Sequence, residues 1–208
     1  MSEFWEESFK ENREMWGFKA ADSTVKTKER FLENKVKTVL IPGFGYGRNA
    51  KVFMENGMEV EGIEISDTAI QLARTHQITV PIYHGGITSM PFNDKKYDGI
   101  YSYALLHLLP TGERQQFIKD CYEQLEDGGL MVFVTISQES PMYAKGKKIA
   151  ENYFEIMPNL TMYFYNEQAI QKDFAEVGLK KVEKIIEPHK ENPDKEPFIF
   201  TMITCQKS

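Results

Sequence analysis

The sequence predicts an α/β chain: a doubly wound, mostly parallel seven-stranded sheet, helices on both faces, and an antiparallel C-terminal hairpin strand. Three observations carry this. Short β-branched runs alternate with helical stretches from residue 36 to residue 136, the rhythm of strands joined by crossover helices. A glycine-rich turn follows the first strand. The last two strand-like runs have no helix between them, so one edge of the sheet closes as a hairpin.

The elements follow in order. Residues 36–41 (VKTVLI) read as the first strand, and 47–57 (GRNAKVFMENG) as a helix stopped by glycine. Residues 58–65 form the second strand. Residues 66–76 form a helix with Ser66 or Asp67 as N-cap. Residues 78–85 and 97–104 are the third and fourth strands. The stretch 111–129 reads as an amphipathic helix ending at Gly128 and Gly129, and 130–136 (LMVFVTI) as the fifth strand. A helix over 166–178 precedes strands at 179–188 and 197–207.

Composition bounds the rest. At 208 residues the chain is expected to be one domain: an N-terminal helical or lid segment (1–34), a cofactor-binding half (35–136), and a substrate-side half with the hairpin (137–208). The net charge of −6 argues against a nucleic-acid binder. Two distant cysteines, Cys121 and Cys205, suggest neither a disulfide framework nor a metal site. No apolar run reaches membrane-spanning length. The expected location is cytoplasmic, and the expected state is a monomer or weak homodimer.

The turn 39–50 (VLIPGFGYGRNA) places Gly43, Gly45 and Gly47 at alternate positions. Such a turn lets a ligand lie against bare backbone. Glu64, ending the second strand, is placed to accept ribose hydroxyls. Nicotinamide and S-adenosylmethionine enzymes share both features. The dinucleotide fingerprint, however, needs Gly or Ala where Arg48 stands. Tyr143 and Lys147 do match the Y-x-x-x-K pair of short-chain dehydrogenases, which keeps a dehydrogenase as an alternative.

Five segments together resemble the class I S-adenosylmethionine-dependent methyltransferases, a Rossmann-like family. They are VLIPGFGYGRN, VEGIEIS, GGITSMPF, YDGIYSYALLHLL and LEDGGLMVFV. Within that class the stretch 39–66 resembles the thiopurine methyltransferases and tellurite-resistance-type enzymes. The resemblance implies S-adenosyl-L-methionine as cofactor and a small molecule carrying a thiol, amine or hydroxyl as substrate. It implies cofactor contacts from Pro42, Gly43, Phe44, Gly45, Gly47 and Asn49, and from Glu64, Ile65, Ile87, Thr88 and Tyr103. Tyr103 and His107 fall where the family places the nucleophile, with His107 as a candidate general base. Trp16, in an aromatic N-terminal segment, and Tyr143, in a Met- and Tyr-rich stretch after the fifth strand, are candidate substrate contacts. Pro42 and Gly86 stand where the family often has acidic residues. Those departures keep a non-catalytic cofactor-binding protein as a second alternative.

Overall fold

The computed structural model describes residues 2–189, 191–192 and 194–208. Its centre is a seven-stranded sheet of β1 (Thr38–Pro42), β2 (Glu59–Glu64), β3 (Ile82–His84), β4 (Tyr97–Tyr103), β5 (Leu125–Ile136), β9 (Leu179–Glu187) and β10 (Phe198–Gln206). The order is β3-β2-β1-β4-β5-β10-β9. The first five strands are mutually parallel, β10 runs antiparallel to β5, and β9 antiparallel to β10. The edge hairpin is therefore as the sequence predicts.

The inner strands are apolar on both faces because both faces are covered. Along β1, Val39 and Ile41 join one core cluster and Leu40 the other. Val132 and Val134 alternate with Met131 and Phe133 along β5 in the same way. Tyr101 is fully buried on the face shared with Val39. Burying each such side chain contributes about 1.5–3 kcal/mol.

Helices α1 (Ser2–Asn12) and α2 (Asp22–Glu33) precede the sheet. Four more helices follow: α3 (Ala50–Glu55), α4 (Asp67–Thr75), α5 (Thr111–Glu123) and α6 (Glu167–Phe174). Ser66 is the N-cap of α4, accepting from the Ala69 N–H at 3.1 Å.

Three elements differ from the sequence expectation. The third strand is only Ile82–His84. Pro81 has no N–H to add to a ladder, and its carbonyl accepts from the Gly62 N–H as the pairing begins. Helix α5 stops at Glu123, because Leu125 already pairs with Tyr97 and is fully buried there. The stretch after β5 forms a second, three-stranded antiparallel sheet of β6 (Lys147–Ala150), β7 (Tyr153–Met157) and β8 (Leu160–Tyr163), which the sequence reading did not foresee.

Candidate functional site

The strand order reverses between β1 and β4, the position where open α/β sheets bind ligands beyond their strand C-termini. A cavity of about 510 Å³ opens there. Because β9 runs parallel to β5, its C-terminal end and the start of β10 reach the same rim.

The glycine turn is the cavity's floor, and its three glycines have different causes. All have positive φ: +72° at Gly43, +58° at Gly45 and +82° at Gly47, a region that disfavours any side chain. A Cβ at Gly43 would come within 3.0 Å of Leu105, and one at Gly47 within 2.5 Å of Ile78 and 2.9 Å of Phe44. Those two glycines serve packing. A Cβ at Gly45 would meet nothing within 4 Å, and Gly45 lines the cavity. Gly45 is thus the backbone position left bare toward a ligand.

Glu64 stands beside it. Its side chain is buried, with Oε2 accepting from the Gly45 N–H at 2.6 Å. Oε1 accepts from the Ile65 and Ser66 N–H groups, both at 2.8 Å. Burial pushes the Glu64 pKa up, against the opposing pull of these three donors. A carboxylate offers about four lone-pair sites, so one acceptor position on Oε2 is left for a hydroxyl. Ile65, Gly85, Gly86, Ile87 and Thr88 continue this wall. An apolar slot beside a buried carboxylate suits a purine and its ribose, so these residues fit the adenosine part of S-adenosylmethionine.

Phe44, Asn49, Tyr103, His107 and Trp16 also line the cavity. Asn49, however, has its Oδ1 committed to the Ala21 N–H at 3.1 Å and the Thr24 hydroxyl at 3.0 Å. Arg48 donates to the Trp16 and Lys19 carbonyls at 3.1 and 3.3 Å and lies over the Trp16 and Tyr103 rings. Both side chains brace the N-terminal segment.

Pro42, Gly47 and Tyr143 are not among the cavity-lining residues. Pro42 is buried as the last residue of β1, paired with Ile63. Tyr143 is a correction. Its ring packs on Phe154 and Phe164, and its hydroxyl donates to Asn152 Oδ1 at 2.9 Å and accepts from Gln138 at 3.0 Å. Tyr143 also sits in a turn while Lys147 begins β6, so their spacing does not place them on one turn of a helix.

His107 is a second correction. It is buried, and its Nδ1 accepts from the Ile136 N–H at 3.2 Å. A backbone N–H only donates, so Nδ1 is unprotonated and a neutral ring carries its proton on Nε2. Burial lowers the pKa to about 3. His107 is therefore a hydrogen-bond donor and not a general base. The Tyr103 hydroxyl is pushed well up, first by burial, and stays a neutral phenol.

The rest of the wall was marked in the sequence only by composition, in the aromatic N-terminal segment and the Met- and Tyr-rich stretch, and not at all in the terminal hairpin. Phe9 and Met15 come from the N-terminal segment, Met142 from the turn before β6, and Met162 from β8. Glu187, His189, Phe198 and Phe200 come from the terminal hairpin. Helix α1 is fastened by Glu6, whose carboxylate accepts from the Ser66 hydroxyl (2.7 Å), the Thr68 hydroxyl (2.6 Å) and the Thr68 N–H (3.2 Å). The hydrogen bond from Ser66, then that from Thr68, lowers its pKa from 4.5 to about 2.

This sheet order and this site define a class: the fold is that of the class I S-adenosylmethionine-dependent methyltransferases. Residues 40–133 match the family model described as a methyltransferase domain. The chain is 27% identical over 137 residues to a ubiquinone biosynthesis O-methyltransferase of Coxiella burnetii, covering 64% of this chain. It spans 58% of that relative's length. Among solved structures it resembles a 1,6-didemethyltoxoflavin-N1-methyltransferase of Burkholderia thailandensis, with a TM-score of 0.75 and 13% identity over 100% of this chain and 87% of that one. That protein was solved with its substrate and S-adenosylhomocysteine. A SAM-dependent methyltransferase of Methanosarcina mazei gives a TM-score of 0.69 at 20% identity, covering 82% of this chain and 92% of the other. No helix among the described residues is long and apolar enough to cross a membrane.

Proposed function

We propose that this chain is an S-adenosylmethionine-dependent methyltransferase acting on a hydroxyl group of a small molecule. The observation that carries the cofactor is the bare Gly45 backbone set against the buried Glu64 carboxylate at the sheet's switch point. The hydroxyl is supported by the O-methyltransferase relative. When bound, the cofactor supplies an electrophilic methyl group on a sulfonium.

The chain's own task is to hold, orient and keep dry. Glu64 would take the ribose, and Ile65, Ile87 and Thr88 the adenine. Tyr103 and the His107 Nε2–H would orient the acceptor beside the methyl. Alignment of this kind supplies about 7–11 kcal/mol of a barrier. Trp16 and Phe9 close the cavity from the N-terminal side, excluding water from the reacting centre.

The test is calorimetric titration with S-adenosylhomocysteine, beside NAD and NADP, on wild type and Glu64→Ala, followed by transfer of labelled methyl to phenols, thiols and amines. Binding of the homocysteine compound alone, weakened by the substitution, with methylation of a hydroxyl, supports the proposal. Binding with no transfer to any acceptor would leave a cofactor sensor. Binding of a nicotinamide nucleotide would refute the proposal outright.

A further inference from the structure

We infer that His189, on the loop between β9 and β10, is the general base of this site, and that its acceptor is a phenolic hydroxyl. The inference rests on the methyltransferase reading above.

The acceptor side of the cavity is a run of flat rings. Tyr103 and Phe200 have centroids 5.6 Å apart, Phe200 and Phe198 5.6 Å, and Phe198 and His189 4.4 Å. Met142 and Met162 fill in around them. Rigid aromatic walls with adaptable thioethers suit a planar ring as ligand. Methylating a hydroxyl on that ring needs a group that takes its proton.

Most of the titratable groups lining the cavity are already committed. His107 has its only lone pair on the Ile136 N–H, and burial keeps it neutral. Tyr103 is a half-buried phenol whose proton is held tightly. Tyr46 donates its hydroxyl to the Gly17 carbonyl at 2.8 Å. Glu64 holds three N–H groups on the ribose side. Glu187 caps α2, accepting from the Asp22 and Ser23 N–H groups at 2.9 and 2.8 Å. The Glu191 carboxylate lies against Gly17, 2.0 Å from where a Cβ would stand. Glu113 belongs to the first turn of α5. Lys195 is exposed, and an ammonium has no lone pair to offer.

His189 is half-buried, lines the cavity, and ends the run of rings. Among the described residues its ring nitrogens have no hydrogen-bond partner, and only its backbone carbonyl is used, by the Asn192 N–H. It has a lone pair to spare and is packed on the ring run itself. An imidazole is suited to the task near neutral pH. In the balanced step the acceptor's O–H proton passes to that ring nitrogen and the oxygen lone pair forms the new O–CH3 bond. The S–CH3 bond breaks with its electron pair left on sulfur, giving the neutral thioether, and the imidazolium returns its proton to water.

The test compares wild type, His189→Gln and His189→Ala on two acceptors: an alkylphenol, and 4-nitrophenol, which ionises without help near neutral pH. His189→Gln is expected to lower kcat/KM about 100-fold for the alkylphenol and less than threefold for nitrophenol. S-adenosylhomocysteine affinity is expected to stay within twofold, which also reports intact folding. Added imidazole should restore part of the His189→Ala rate. A readout without turnover is the visible absorption of bound 4-nitrophenolate, stronger on wild type than on His189→Gln at one pH near the nitrophenol midpoint. Equal losses on both acceptors, no loss on either, or a wild type that methylates only thiols or amines would overturn the inference while leaving the cofactor reading intact. If wild type failed to bind S-adenosylhomocysteine, both would fall.

Discussion

Gly45→Ala and Gly47→Ala should separate binding from folding. Both positions have positive φ, so each alanine costs about 1–2 kcal/mol of backbone strain. At Gly47 the new methyl also lands 2.5 Å from Ile78 Cδ1 and 2.9 Å from the Phe44 ring. The isoleucine tip can turn aside, but the ring is held against Gly62 as well. Overpacking of this kind costs about 1–3 kcal/mol, for a total of about 2–5 kcal/mol. That is a large share of the roughly 5–15 kcal/mol that holds a domain together. At Gly45 there is no clash, so the stability cost stays at about 1–2 kcal/mol. The methyl instead projects into the cavity, where the ligand's backbone contact would be. Gly45→Ala should therefore weaken S-adenosylhomocysteine binding at least about tenfold, or about 1.4 kcal/mol, with a modest fall in Tm. Gly47→Ala should show a larger fall in Tm and, below its transition, near-native affinity. Titration calorimetry and thermal unfolding of both variants decide it. Native affinity in Gly45→Ala would refute the assignment of this position as the ligand's floor.

Three further outcomes are expected. Glu64→Gln turns one N–H acceptor into a donor that faces an N–H, so S-adenosylhomocysteine affinity should fall about tenfold or more by calorimetry; unchanged affinity would remove Glu64 from the ribose. Glu6→Gln should loosen α1 by about 1–2 kcal/mol at neutral pH, seen as faster amide exchange over residues 2–12. Because the folded carboxyl titrates at about 2 against an ordinary 4.5, its contribution is complete above about pH 4.5 and is lost as pH falls through about 2; a variant with wild-type exchange would count against the latch. His107, lowered from 6.5 to about 3 when folded, stabilises the neutral-pH protein relative to acid. Between those values stability should fall by up to about 1.4 kcal/mol per pH unit, and denaturant titrations of His107→Gln should show a shallower fall.

The glycine turn and the strand end beside it were readable because their residues are contiguous and constrained by backbone geometry. Ser66 as N-cap, Glu64 at a strand end and a glycine at Gly45 each leave a local mark in the sequence. The other half of the cavity left only compositional marks, the aromatic N-terminal segment and the Met- and Tyr-rich stretch after β5. Phe198 and Phe200 read as strand residues, and nothing local told that β10 would insert between β5 and β9 and bring them to the rim. Tyr143 failed as a prediction for a related reason. Its stretch is rich in Met and Tyr, but whether such a residue faces a cavity or a satellite core depends on the β6–β8 sheet, which packs Tyr143 inward on Phe154 and Phe164. His107 was placed correctly near the cavity, while its role hung on a tertiary donor, the Ile136 N–H, twenty-nine positions away.

The alternation in residues 43–49 has a physical reason on both of its phases. The small positions bend the backbone and leave Gly45 bare. The large ones hold the walls. Phe44 packs over Gly62 and Gly47. Tyr46 bonds the Gly17 carbonyl and stacks on Trp16 at 6.3 Å between centroids. Arg48 fastens the Trp16 and Lys19 carbonyls, and Asn49 the start of α2. One seven-residue turn thus touches the ribose-side carboxylate through the Gly45 N–H and the N-terminal wall through three side chains. A ligand that competes for the Glu64 carboxylate acts on the same short backbone that carries Tyr46, Arg48 and Asn49. Residues 43–49 therefore join the Glu64 side of the cavity to its N-terminal wall through one short backbone.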